Sequence, residues 1–298
     1  MLVAAIVTYN RSRNLDRIIR AMRKLRSGEI QIVVSDDNSS DDTIDLCHRR
    51  RVPVLTGENK GPAGNKNRAL SWFYYRSEAQ RLILVEDDMK ICDEGWDLQW
   101  SEAIDRFQHI NWCAQNIVER KKERYVAGDG SLESPYLLRF VTGQCMGFSR
   151  RAIEEVGFID PHFRGYGYAH IEYSKRMARR GFGVQHHDVG GRTEKLFAHI
   201  RGGMELTGLR TVSDRTSTEA NRAVYDSLDG AEIFRLPWRN AEEKAQIERE
   251  MRPLRRPRPP APPAVQAPPA APVPAAEDAA EQPAVLATIA RPAEPTST

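Results

Sequence analysis

The chain has 298 residues, 40% hydrophobic and 29% charged, a composition that fits a folded water-soluble protein and excludes a disordered or membrane-embedded one. Its net charge of +3 is small, and Lys and Arg are spread along the chain, so no nucleic-acid partner is expected. Cys47, Cys92, Cys113 and Cys145 lie far apart without a C-x-x-C pair, which argues against a disulfide framework or structural zinc and for reduced thiols in a cytoplasmic protein.

The apolar start, Met1 to Val7, has no basic flank and is too short for a secretory signal; no later stretch approaches a membrane span, so no integral membrane segment is expected. Leu2 to Val7 predicts a first strand, and Leu15, Ile18, Ile19 and Met22 give helical spacing over Asn14 to Leu25. Ile30 to Ser35 predicts a second strand, running into Asp36 and Asp37. A helix over Asp41 to Arg49 follows, with Ser39 or Ser40 as its N-cap, then a short strand over Val52 to Thr56. Gly61 to Arg76 reads as a helix with a glycine-rich entry, and Arg81 to Val85 as a fourth strand. This alternation predicts a doubly wound, mainly parallel α/β sheet.

The second half is less regular. Helices are expected over Trp96 to Phe107, Arg150 to Val156 and Ile171 to Arg180, the last closed by Gly181. Strands are expected over Trp112 to Val118 and, as one or two, over Leu137 to Phe148. Residues 206–250 read as mostly helical. From residue 251 onward the chain holds 13 of its 18 prolines and few large apolar residues, which predicts a disordered Pro/Ala-rich tail.

The fourth strand, Leu82-Ile83-Leu84-Val85, runs straight into Glu86-Asp87-Asp88. Three adjacent carboxylates repel one another and are costly to bury. Mg²⁺ or Mn²⁺, which favour carboxylate oxygen, would relieve that repulsion, and open α/β sheets bind ligands at the carboxyl ends of their strands. A solvated acidic turn is the competing reading at this point.

Thr8, Tyr9 and Asn10 end the first strand, and Asp36 and Asp37 the second, so the two ends share one crevice. There an aspartate can accept the N3–H of a uracil-type base or a ribose hydroxyl, while Thr8 and Tyr9 offer backbone groups and a ring face. Ser39, Ser40 and Asp41 read as turn and cap residues. Gly61-Pro62-Ala63-Gly64-Asn65-Lys66-Asn67-Arg68 enters a helix and carries cations suited to phosphate, without P-loop spacing.

The segments AIVTYNR, VVSDDNSSDDT, ENKGPAGNKNRAL, LILVEDDM and GQCMGFSRRAIEEVGFIDPHFRGYGYAHIEYSKRMARRGF resemble, in order and spacing, the signatures of family 2 glycosyltransferases of the GT-A fold. The resemblance covers about residues 2–185. It implies transfer of a sugar from a nucleotide-sugar donor, a UDP-sugar by default, to an acceptor hydroxyl with inversion, aided by Mn²⁺ or Mg²⁺. By the same match Asp88 binds the metal, Glu86 lies nearer the ribose or metal-bound water, and Asp87 belongs to the same donor site. Lys66 stands where the family usually has an Arg facing the nucleotide, and Asp36 and Asp37 where it contacts the base.

The chain departs from the family after GYG, where an acidic pair ending in the catalytic Asp is replaced by Ala169 and His170, followed by Glu172. A neutral imidazole can serve as the base, so His170 ranks first and Glu172 second; loss of the base, leaving a silent nucleotide-sugar-binding module, ranks third. His187, at the end of a short strand, and His199, in a loop-helix segment, are candidates for a late metal ligand. Tyr166, Tyr168 and Tyr173 flank the base position and are candidates to stack on a sugar ring, with helix packing an equal reading for Tyr173.

The expected organisation is a GT-A domain over residues 1–205, a helical extension over 206–250 and a disordered tail over 251–298. A nucleotidyltransferase is a further alternative, disfavoured because Thr8 to Arg11 stands where its long glycine-rich basic loop belongs. The acceptor is open: glycan, lipid-linked saccharide, protein and small molecule all fit.

Overall fold

The computed structural model describes residues 1–208, 215–228 and 230–254, all within one compact unit that spans Met1–Arg256. Strand β1 (Leu2–Thr8) is buried along its whole length and is flanked in parallel by β2 (Ile30–Asp36) and β4 (Arg81–Glu86), with β3 (Val54–Thr56) beyond β2. Leu2, Ala4 and Ile6 pack into one cluster with Leu15, Ile18, Ile19 and Met22 of helix α1 (Ser12–Leu25) and with Leu46 and Cys47 of α2 (Thr43–Arg50). Val3 and Ala5 face the other way, against Ala69, Leu70 and Phe73 of α3 (Gly61–Arg76). The strands are aliphatic on both faces because both faces are covered.

The rest of the chain extends the sheet with mixed pairings. Strand β5 (Met89–Ile91), helix α4 (Trp96–Phe107), β6 (His109–Trp112) and α5 (Gln115–Arg120) come first. Then follow β7 (Tyr125–Ala127), β8 (Tyr136–Leu138), β9 (Cys145–Ser149), α6 (Arg150–Val156) and α7 (Ala169–Arg179). The hairpin β10 (Val184–Val189) and β11 (Arg192–Ile200), then β12 (Met204–Leu206), α8 (Arg215–Ser227) and α9 (Ala241–Glu250), complete the described residues. The sheet runs β3-β2-β1-β4-β9-β6-β11-β8-β7, with β10 on β11 and a separate β5–β12 ribbon. Strand β9 is antiparallel to both β4 and β6, and β11 is parallel to β6, so β1, β2, β4, β6 and β11 all point their carboxyl ends to one edge.

Several local expectations are corrected. Trp112 to Val118 is not one strand: β6 ends at Trp112, and Ala114, Ile117 and Val118 carry the i, i+3, i+4 spacing of α5. His199 belongs to β11 rather than to a loop-helix segment. Neither Ser39 nor Ser40 caps α2; Asp41 accepts the Thr43 amide at 3.1 Å, while the Ser40 amide reaches across to Asn10 at 2.7 Å. Met251 and Leu254, assigned by composition to the tail, are on the fold: Met251 is buried, and the Leu254 amide donates to the Val54 carbonyl at 2.9 Å. The remainder of the Pro/Ala-rich segment lies outside the described residues. Among the described residues, no helix is long and apolar enough to cross a membrane.

Candidate active site

The carboxyl edge gathers its acids where β4 ends. Asp87 is buried, accepts the Thr8 hydroxyl at 2.7 Å and pairs with the Arg11 guanidinium at 2.9 Å, tying the ends of β1 and β4 together. Burial raises its carboxyl above the usual range, against the lowering effect of Thr8 and Arg11. Asp88 is equally buried, but its Oδ1 has no hydrogen-bond partner. Burial first, then the charges of Glu86 and Asp87, push the Asp88 carboxyl up to about 6. Glu86 is half-buried and receives the Lys66 ammonium at 2.6 Å; the same ammonium donates to the Gly143 carbonyl at 2.8 Å.

Ends of β1 and β2 are stitched beside this cluster. The Asn10 amide donates to Ser39 Oγ at 2.8 Å, and Asn10 itself has φ 53°, a left-handed turn that Asn tolerates. Tyr9 is left 49% exposed, with its ring available to a ligand. Asp36 accepts the Ser39 amide and the Thr56 hydroxyl, the latter at 2.8 Å. Asp37 accepts the Lys60 and Gly61 amides at 3.1 and 2.8 Å, and so fills the role of an anion at the N-terminus of α3. Both aspartates therefore have structural partners, and Asp36 is fully buried with Oδ2 accepting from both the Ser39 amide and the Thr56 hydroxyl.

The loop between α6 and α7 approaches from the α3 side. Gly61, at φ 73°, sits so close to Gly165 that a Cβ on Gly61 would come within 2.8 Å of the Gly165 Cα. Burial first, then the charges of Glu86 and Asp88, hold the hydroxyl of Tyr166 in this loop above the ordinary tyrosine range. His170 opens α7 with its imidazole against the Gly143 backbone, where a Cβ would approach Cγ to 2.7 Å. Desolvation, then the charges of Lys66 and Lys121, lower His170 to about 3, so the ring is neutral. The loop thus brings His170 and Tyr166 to the Lys66–Glu86–Asp88 cluster.

Other expected site residues are placed elsewhere. Glu172 points away from the cluster and forms a buried ion pair with Arg176 at 2.6 Å, whose guanidinium also donates to the carbonyls of Val156, Phe158 and Ile233. Two residues on from His170 is about 200° around a helix, which is why these neighbours face apart. Tyr173 is fully buried, donating to the Gly157 carbonyl at 2.8 Å, and Tyr168 packs on Tyr225. His199 is level with Asn111 in β6, three strands from β4, a lateral distance of about 14 Å at ~4.8 Å per strand. His187 lies one strand further out, paired with Glu194. Neither histidine is brought to Asp88, and among the described residues no group of three or more His, Cys, Asp or Glu side chains is disposed around a metal position.

Residues that sequence reasoning passed over also shape the site. Arg11 follows directly on Thr8-Tyr9-Asn10, so its position was a usable signal. Gly143 and Lys121 had no motif to mark them. Arg68, read as a cation for phosphate, is fully buried and pairs with Glu250 at 2.9 Å, a partner 182 residues away. A cavity of about 950 Å³ between α4, the α5 entry and β12 is lined by residues such as Gln99, Gln115, Leu132 and Arg201, and none of the acidic triplet lines it.

A family model, glycosyl transferase family 2, matches residues 4–157, more than half of the chain. A curated relative from Campylobacter jejuni, GalNAc(5)-diNAcBac-PP-undecaprenol beta-1,3-glucosyltransferase, is 26% identical over 112 residues, covering 35% of this chain and 35% of the relative. The matched stretch is thus about a third of that relative's length. Among solved structures, glucosyl-3-phosphoglycerate synthase from Mycobacterium tuberculosis, in complex with Mn²⁺, UDP and phosphoglyceric acid, aligns at 14% identity with a TM-score of 0.48, over 78% of this chain and 79% of that one. A mannosyltransferase from Pyrobaculum calidifontis, in complex with GDP-Man and Mn²⁺, aligns at 14% identity and a TM-score of 0.47, over 61% of this chain and 52% of that one.

Proposed function

Because the chain belongs to glycosyl transferase family 2, we propose that it moves a sugar from a nucleotide-sugar donor to an acceptor hydroxyl with inversion at the anomeric carbon. The observation that carries this reading is the buried, unpartnered Asp88 Oδ1 beside two further carboxylates at the carboxyl end of a central strand. An unsatisfied carboxylate oxygen among hard oxygen donors suits a divalent cation, so Asp88 would hold Mn²⁺ or Mg²⁺ there. When bound, such a cation would supply Lewis-acid stabilisation of the leaving diphosphate.

The chain's own residues then divide the work. Tyr9 offers its exposed ring to the base, and the Asp36–Asp37 corner, with Thr8 and Asn10, frames the nucleoside. Asp87 holds Thr8 and Arg11 in place behind that frame. Lys66 fixes Glu86 beside Asp88 at the end of β4. The acceptor oxygen attacks the anomeric carbon, the bond to the diphosphate breaks with its electron pair leaving on the nucleotide, and the hydroxyl proton passes to the His170 ring, where the negative charge of the donor's diphosphate offsets the burial and the Lys66 and Lys121 charges that otherwise disfavour its protonated form. Glu172 is not assigned the base, because its carboxylate serves Arg176.

Thermal melts with UDP- and GDP-sugars plus MnCl₂ test the reading. A stabilising shift that needs both donor and metal, and is lost in Asp88→Ala, is the expected result. No shift with any nucleotide sugar would sink it.

A further inference from the structure

The buried Arg68–Glu250 pair lies outside the chemistry described so far, yet it touches the nucleoside frame. Arg68 is fully buried on α3 and uses its guanidinium in four directions. Nε donates to Glu250 Oε2 at 2.9 Å, Nη1 to the Asp36 carbonyl and to Asn65 Oδ1, each at 2.9 Å, and Nη2 to the Glu58 carbonyl at 3.0 Å. The same Nη1 lies 3.7 Å from Asp37 Oδ1. No lysine can replace a planar fork that serves so many acceptors.

Glu250 is itself held. It ends α9, and Gln246 one turn earlier donates to its Oε1 at 2.9 Å and to Glu58 Oε2 at 3.1 Å. The chain is shaped to admit it: a Cβ on Gly57 would come within 2.1 Å of the Glu250 carboxyl carbon. Met251 is buried just beyond, and the Leu254 amide closes on Val54 of β3. Helix α9 is thus anchored in the corner between β3 and α3, although it lies well beyond the family-matched residues 4–157.

We propose that α9 is a strap that sets the base-binding corner: Glu250 orients Arg68, and Arg68 fixes the Asp36–Asp37 turn that faces the nucleoside. The inference rests on the donor-site reading above. Arg68 and Glu250 are positioning residues that touch no substrate. Their removal loosens the corner that meets the base and leaves the diphosphate end, at Asp88, as it was.

The test is isothermal titration of the full chain with UDP plus Mn²⁺, GDP plus Mn²⁺, and inorganic diphosphate plus Mn²⁺, which has no base. Glu250→Ala and the double variant Arg68→Met/Glu250→Leu, which keeps apolar packing, are compared with the wild type. Nucleotide binding is expected to weaken by about tenfold or more, the worth of roughly one charge-assisted hydrogen bond, while diphosphate binding stays within about twofold. Glu250→Gln, whose amide oxygen still accepts from Arg68 Nε, recovers most of the loss. Equal weakening of nucleotide and diphosphate overturns the strap, as does unchanged nucleotide binding in a double variant that melts like the wild type. If the wild type binds neither nucleotide, the donor-site reading fails, and amide exchange at Ser39, Lys60 and Gly61 judges the strap alone: faster exchange in Glu250→Ala supports it, and unchanged exchange overturns it.

Discussion

His170 and Glu172 stand two residues apart in the chain and do unrelated work, because a helix separates them by more than half a turn. His170 faces Gly143, Lys66 and Lys121, whereas Glu172 closes on Arg176 beneath the loop that precedes α7. His170→Ala should lower kcat by about 10² to 10⁴, the usual worth of a general base, with the KM for donor little changed. His170→Asp, which returns the family's residue, should keep more activity than the alanine variant; equal loss in both would remove His170 from the role. Glu172→Ala should instead destabilise the protein by roughly 3 kcal/mol, because it strands a buried guanidinium, and urea denaturation reads that directly. The acidic tip was legible because an aliphatic run ending in three acids has few physical explanations. The orientation of Glu172 was not, since helix phase is fixed only once the start at Ala169 and the partner Arg176 are seen.

Element boundaries follow the same logic of covered faces. Strands β1, β2 and β4 are buried on both sides, so they read as continuous aliphatic runs and their parallel order could be inferred. Strands β7, β8 and β12 have three residues each, too few for periodicity to show, and the polar β10–β11 hairpin hides its pairing in alternation. Those pairings place His199 in the sheet body, which its neighbours in sequence do not reveal. Helix α3 couples the two halves through contact between backbones. Gly61 combines a left-handed φ of 73° with an approach to Gly165 that leaves no room for a methyl group. Gly61→Ala should therefore cost upwards of about 1 kcal/mol in a denaturant titration. It should also lower turnover by displacing the loop that carries Tyr166. A variant with wild-type stability and turnover would show that the loop does not depend on this contact.

Across the whole molecule, acid stability is governed in part by two histidines remote from the crevice. His109 and His199 are fully buried, and desolvation lowers them to about 4 and about 3. His109 sits Nδ1 to the Gly147 carbonyl at 3.0 Å and Nε2 to the Ser174 hydroxyl at 3.0 Å, a pattern that a neutral ring protonated at Nδ1 satisfies in full. Unfolded histidine titrates near 6.5, so above that pH neither ring affects the folding balance. As pH falls below it, the unfolded chain takes up protons that the fold refuses, and each ring removes about 1.4 kcal/mol of stability per pH unit until its folded pKa is reached. Asp88, whose carboxyl is pushed up to about 6, acts in the opposite sense, since its protonation removes a buried charge and then relieves repulsion from Glu86 and Asp87. The wild-type curve is the sum of such contributions, so the informative quantity is a difference in slope. In calorimetric melts at pH 7, 6 and 5 the wild type should lose more stability than His199→Asn as pH falls, whichever of the two is the more stable at pH 7, because the variant has one fewer buried ring to protonate. Parallel curves would mean that His199 keeps its unfolded pKa in the fold, as it would if water reached the ring.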